Sequence, residues 1–186
     1  MQIENLIRER RTVHSYKDQS IDESLLKKAL ELALFAPNHK HTMPWIFFRL
    51  GKSVRQKVKD LAIELKAKKA GAELSKPMIQ SLTAKFLNPA ELIVMGQKNC
   101  ESDFQKKEDY ASIACGVQNI SLFLWSHGIG TKWSTGEVTR DPKIYEWIGR
   151  SPDEVLLEGF LWVGIAEDLT KRPPKATLEN CFFETE

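Results

Sequence analysis

Residues 110–126, YASIACGVQNISLFLWS, set the strongest limit on what this chain can fold into. They form the most apolar helical stretch of the sequence, running from about Asp109 to Ser126, and they have no single oily stripe. Small residues (Ala111, Ala114, Gly116) gather on one side and large ones occupy the others, so the helix has to be central and packed on several faces. His127-Gly128 closes it as a C-cap glycine does. A central helix needs neighbours, and 186 residues can supply them in one sizeable core. No repeat or low-complexity linker divides the chain, so residues 1–186 are expected to form a single domain.

The neighbours can be read from local signals. A first helix covers Ile3 to Glu9 and ends at Arg10-Arg11. Ser20-Ile21-Asp22-Glu23 reads as a capping box opening an amphipathic helix to about Ala36, where Pro37 stops it. Trp45–Leu50 is a short aromatic-rich strand. Ser53 to about Lys69 is a polar helix with a thin apolar stripe, and Gly71–Asn88, broken by Pro77 and Pro89, is an excursion with some helix. Glu91–Gly96 is a buried strand, Asp141-Pro142 starts a short helix, and Leu156–Val163 is a third strand. The pattern is α+β, with helices outnumbering strands.

Several function classes are excluded by composition. No apolar stretch approaches the roughly 20 residues that span a bilayer, and MQIENLIRERR lacks the features of a signal peptide, which points to the cytoplasm. Three scattered cysteines without a CxxC pair argue against a disulfide framework or a zinc ribbon. A net charge of +2 is too small to imply nucleic acid. Arg49–Lys85 nevertheless holds ten Lys/Arg against three Asp/Glu, a patch suited to a phosphorylated ligand or to a solvated helix face.

Five segments then fall into one register: Arg10-Arg11-Thr12-Val13-His14-Ser15-Tyr16, Ala36–Trp45 (APNHKHTMPW), Asp109–Asn119, Gly128–Gly136 (GIGTKWSTG), and Val163-Gly164-Ile165-Ala166. In order and spacing the chain resembles the nitroreductase-like FMN flavoproteins, and most of all the small single-domain subgroup whose loop reads A-P-x-H-K-x-x-x-P-W. The resemblance implies a central antiparallel-type sheet flanked by helices, in an interleaved homodimer with FMN at the subunit interface.

It also implies roles. Arg10 and Arg11, with the Thr12 hydroxyl, would hold the FMN phosphate and ribityl chain; a guanidinium fork suits a phosphate, although two arginines could equally complement a helix C-terminus. His14 stands where the family has Arg or Lys near the flavin N1–C2=O edge, and it would stabilise reduced flavin only while protonated, making reduction pH-dependent. His39 matches the subgroup's cofactor contact. His41 is also expected to meet the cofactor of one subunit or the other, although His41 and Met43 replace an Asn and a Gln of larger relatives and Phe35 replaces an Arg. Trp133, Ser134, Thr135 and Gly136 would lie against the flavin, and Lys175 would reach the phosphate. A metal at His39/His41 lacks further ligands nearby.

The implied chemistry is that of an NAD(P)H oxidoreductase. A hydride passes from NAD(P)H through flavin N5 to nitroaromatics, quinones or related small electrophiles by a ping-pong route, and no protein acid or base is essential. The basic 49–85 segment would favour NADPH. The alternative is a non-catalytic flavin carrier or sensor of the same fold. There is no GxGxxG fingerprint of a separate dinucleotide domain.

Overall fold

A computed structural model describes residues 2–169 and 174–185. Helix α1 (Ile3–Glu9) leads into an extended segment and then α2 (Glu23–Ala33). Strand β1 (Trp45–Arg49) is followed by helices α3 (Lys52–Ala70) and α4 (Lys76–Leu87). Strand β2 (Glu91–Lys98), helix α5 (Asp103–Ser126) and strand β3 (Gly130–Ser134) come next, before α6 (Pro142–Ile148) and β4 (Val155–Gly164). The sheet order is β1-β2-β4-β3 and every pairing is antiparallel. This is the expected α+β architecture, a central antiparallel sheet with helices on both sides.

The strand run Leu92-Ile93-Val94-Met95 explains the layering. Leu92 and Val94 join Phe160 and Trp162 under α3, α4 and α6, whereas Ile93 and Met95 join Leu161 and Val163 under α2 and α5. A strand covered on both faces needs apolar residues at every position, so it shows no alternation. Each such side chain, when fully buried, contributes about 1.5–3 kcal/mol.

Local expectations hold at some ends and fail at others. Asp141 caps α6 by accepting from Lys143 N at 2.9 Å, and Gly128 takes the left-handed conformation after α5. The capping box at Ser20/Glu23 does not form. Asp22 itself caps α2, its Oδ1 accepting from Ser24 N at 2.8 Å, because a carboxylate suits the positive end of a helix better than a hydroxyl. That helix closes at Ala33, short of Ala36. Helix α5 starts about two turns early, at Asp103, with Ser102 Oγ accepting from Gln105 N. The excursion at 71–88 contains a regular helix, α4, with Pro77 in its first turn. Its C-terminus is held by buried Arg55, whose guanidinium donates to the carbonyls of Phe86, Leu87, Pro89 and Ala90.

The largest departure is β3. The local signals mark no strand in GIGTKWSTG, yet Gly130–Ser134 pairs with β4 from Gly130↔Gly164 to Ser134↔Phe160. Gly130 is needed for a close approach and not for a bend. A Cβ there would collide with the Val13 side chain, which packs against this strand.

Several apolar surfaces are left open among the described residues. Helix α1 buries none of its residues, and Ile3 and Ile7 are exposed. Helix α5 buries Ile113, Val117, Ile120 and Leu124 but exposes Phe104, Ala111 and Cys115. In the tail, Leu178, Phe182 and Phe183 are exposed. Among the described residues no helix is long and apolar enough to cross a membrane.

Candidate active site

Residues 10–16 run extended along the outer side of β3. Val13 N donates to Thr131 O at 3.0 Å, and Thr12 bridges Thr131 in parallel. Further on, Lys17 N donates to Ile165 O, Glu167 N donates to Ser15 O, and the Tyr16 hydroxyl donates to Trp162 O. Alternation sets the faces of Thr12, Val13 and His14, and it slips at Ser15, which is exposed like His14. Val13 and Tyr16 are buried, whereas Thr12 and His14 are exposed. Arg10 and Arg11 are half-buried where α1 hands over to this segment. Arg10 Nε is buried and has no hydrogen-bond partner among the described residues. A buried guanidinium N–H without an acceptor is costly unless something outside the chain supplies one.

The far end of β3 presents Trp133–Gly136. The Trp133 indole donates to Glu158 O at 2.9 Å and its ring lies 5.9 Å from that of Tyr110. Thr135 and Gly136 are exposed, and Thr139 Oγ1 donates to Gly136 O. Opposite them, the β2–β4 register passes from Met95↔Gly159 to Gly96↔Leu157, so Glu158 is the extra residue of a bulge. Gly159 takes φ 130°, and a Cβ on it would come within 2.6 Å of Ser134 O. Glu158 lines a cleft with Tyr110, Thr135 and Arg140, and burial raises its carboxyl pKa.

The loop at 36–45 is seated elsewhere, on the N-terminal half of α5. Asn38 Nδ2 donates to Thr42 Oγ1 and Ser112 Oγ, and Asn38 Oδ1 accepts from Met43 N. Thr42 Oγ1 donates to buried Asp109 at 2.5 Å, and Gln105 Nε2 donates to the same oxygen. His39 Nδ1 lies 2.6 Å from Glu108 Oε1. Lys40, His41 and Met43 all have positive φ (58°, 54° and 49°), strain that this hydrogen-bond set holds in place.

The expected residues thus fall into four places. Arg10, Arg11, Thr12 and His14 share one edge with β3, and Trp133, Ser134, Thr135 and Gly136 occupy the end of that strand. His39 and His41 sit exposed on the α5 loop, linked to the rest through α5, where Tyr110 stacks on Trp133. Lys175 lies in the exposed tail, beyond residues 170–173, which fall outside the described residues. Sequence reasoning missed Asn38, Glu108 and Glu158, and it missed Lys85 and Lys132, which flank His14. Burial and then the positive charges of Lys132 and Lys85 press the His14 pKa below 6.5. Arg10, Arg11, Lys85 and Lys132 all bring positive charge to this edge, and the lowered pKa bears on the expectation that His14 stabilises reduced flavin only while protonated.

This chain belongs to the nitroreductase family, whose family model matches residues 7–165. It is accordingly an enzyme of an oxidoreductase family. A Bacillus subtilis relative named "Putative NAD(P)H nitroreductase YfhC" is 25% identical over 153 residues, covering 82% of this chain and 78% of that protein. The crystal structure of a nitroreductase-like family protein from Bacillus cereus superposes with a TM-score of 0.84 at 27% identity, covering 100% of this chain and 97% of that one. The FMN-dependent nitroreductase NfnB from Mycobacterium smegmatis, crystallised with NADPH, has a TM-score of 0.79 at 15% identity, covering 98% and 97%, and so shares the fold.

Proposed function

We propose that this chain is an FMN-dependent NAD(P)H oxidoreductase that reduces nitroaromatics, quinones or related small electrophiles, acting as a single-domain subunit of a homodimer. One observation carries the cofactor reading: the buried, unpartnered Arg10 Nε, on a segment clamped to β3 with the Thr12 hydroxyl outward. An unmet guanidinium donor beside a second arginine is what a phosphate group satisfies. When bound, FMN supplies the hydride acceptance and donation.

The chain's own residues do the rest. Arg10, Arg11 and Thr12 hold the phosphate end, with Lys175 added from the tail. Trp133, Ser134, Thr135 and Gly136 line the ring end, where Thr135 and Gly136 expose their backbone and Gly159 lets the bulge close tightly on Ser134. His39 and His41, held apart from this edge in one chain, contribute from the partner's loop. Donor and acceptor occupy the same place in turn, which yields ping-pong kinetics.

The dimer is supported by apolar surface that one chain leaves uncovered: α1, the Phe104/Ala111/Cys115 strip of α5, and the Leu178–Phe183 tail. A helix with no buried residue is marginal alone and needs a partner surface. Sedimentation should give twice the chain mass.

The test is an absorption spectrum of the purified protein. The expected result is a bound flavin spectrum that bleaches with NADPH and returns when a nitroaromatic or quinone is added. A bound flavin that NAD(P)H does not bleach would make the protein a carrier. A colourless protein that takes up no FMN would end both readings.

A further inference from the structure

We propose that Glu108 is a positioning residue: its carboxylate grips His39 by Nδ1 and leaves the other ring nitrogen, Nε2, as a hydrogen-bond acceptor for an O–H or N–H group of the bound cofactor. The identity of that ligand rests on the flavin reading; the state of the ring does not. Four polar residues of α5, Gln105, Glu108, Asp109 and Ser112, recur at the three- and four-residue spacing that gathers them on one helix face. Three of them serve the shape of the loop at 36–45. Asp109 accepts from Thr42 and Gln105, and Ser112 receives the Asn38 amide on its hydroxyl and the Trp45 indole on its carbonyl. These bonds hold the backbone through the positive φ values at Lys40, His41 and Met43. The Glu108 side chain takes no part in that set. Its partner is His39, with Oε1 2.6 Å from Nδ1, and the His39 side chain is 58% exposed. So open a pair adds little to stability, and the carboxylate needs another reason to be there.

The bond fixes the ring chemically as well as in space. A carboxylate only accepts, so the proton between the two groups sits on Nδ1, and in the neutral ring Nε2 keeps its lone pair. Free imidazole side chains in water favour the opposite form, with the proton on Nε2. Among the described residues nothing bonds Nε2, which stays available to a ligand. A second observation concerns the other carboxylate oxygen. Glu108 Oε2 is buried with no partner among the described residues, so no competing donor draws the charge away from His39. An unmatched buried acceptor is costly, and here the cost falls beside an exposed histidine on a strained loop. That combination is what preorganisation for a ligand looks like. FMN carries ribityl hydroxyls and a ring imide N–H, donors of the kind that Nε2 accepts. In the proposed dimer, this acceptor is offered to the cofactor held by the partner.

The full-length protein is read first without FMN. Imidazole nitrogen NMR in alkaline buffer, with the His39 signal assigned by its loss in His39→Ala, is expected to show the proton on Nδ1 in the wild type and on Nε2 in Glu108→Ala. FMN titration followed by flavin fluorescence comes second. Glu108→Ala and His39→Ala should each bind about tenfold more weakly, and the double variant no more weakly than either alone. Glu108→Gln, whose amide oxygen still accepts from Nδ1, should keep the wild-type ring form and most of the affinity. All of these variants should melt close to the wild type, which separates the effect from a loss of fold. A wild-type proton on Nε2, a ring form that Glu108→Ala leaves unchanged, or additive losses in the double variant overturns the proposal. So does undiminished FMN binding by Glu108→Ala. If the wild type takes up no FMN the flavin reading fails, and the ring form alone decides whether Glu108 positions His39.

Discussion

Around residues 36–45 each polar anchor has a fixed answer: Asn38 meets Thr42 and Ser112, Thr42 meets Asp109, and His39 meets Glu108. Around residues 10–16 the opposite holds. His14, Lys85 and Lys132 crowd together, and among the described residues Arg10 Nε has no partner and neither lysine is ion-paired. Both regions are basic in the sequence, but one is tied by hydrogen bonds to α5 and the other leaves donors unmet among the described residues. A segment whose own polar side chains are tied to one another and to α5 is built to hold its shape, even a strained one, although Glu108 Oε2 is itself buried without a partner among the described residues. A segment with unmet donors and unbalanced charge is built to receive something.

The sharpest way to break the contrast is at the charged edge. Arg10→Ala combined with Arg11→Ala should weaken FMN binding by about 100-fold, as expected for the loss of charge-assisted bonds worth about 3 kcal/mol. Flavin fluorescence during titration measures it, and near-normal affinity would remove these arginines from the site. Next comes Asp109→Ala on the completed side. It strands the Thr42 hydroxyl and the Gln105 amide, so unfolding in urea should show a loss of about 2–3 kcal/mol.

At the lysine cluster the sign reverses. The folded-state pKa values of Lys85 and Lys132 lie below the ordinary 10.5, so the unfolded chain binds more protons in the window just below that value. Stability of the wild type should therefore rise as pH climbs from neutral toward 10.5. In anion-free buffer, Lys132→Met should match or exceed wild-type Tm at pH 7 and lose that advantage near pH 10. His14 follows the same sign at lower pH, faced by Lys132, Lys85 and Glu167. With its pKa pressed below 6.5, its protonation costs stability as pH falls through that value, and His14→Gln should flatten that part of the curve. The smallest effect belongs to Glu108→Gln. His39 is largely exposed, and such pairs contribute only about 0.2–1 kcal/mol, so melting should barely shift.

Much of the frame was legible because it is local. The central helix, the limits of α1, the Asp141 cap and the Gly128 stop each rest on residues within a turn or two of one another. The five motifs and their order were enough to point to the nitroreductase family. Asp22 displaced the Ser20 box for a local reason too, but one that only competition between two adjacent caps decides.

What lay beyond the sequence was pairing at a distance. GIGTKWSTG becomes a strand because β4 lies beside it and because Gly130 leaves room for Val13. Lys85, Lys132 and His14 come from α4, β3 and the extended segment, and no spacing rule joins them. Composition and periodicity settle which stretches are helical and which are buried, since those depend on neighbours along the chain. Which charges gather beside His14, and which are left without a counterion, depends on neighbours across the sheet, and only the tertiary structure decides that.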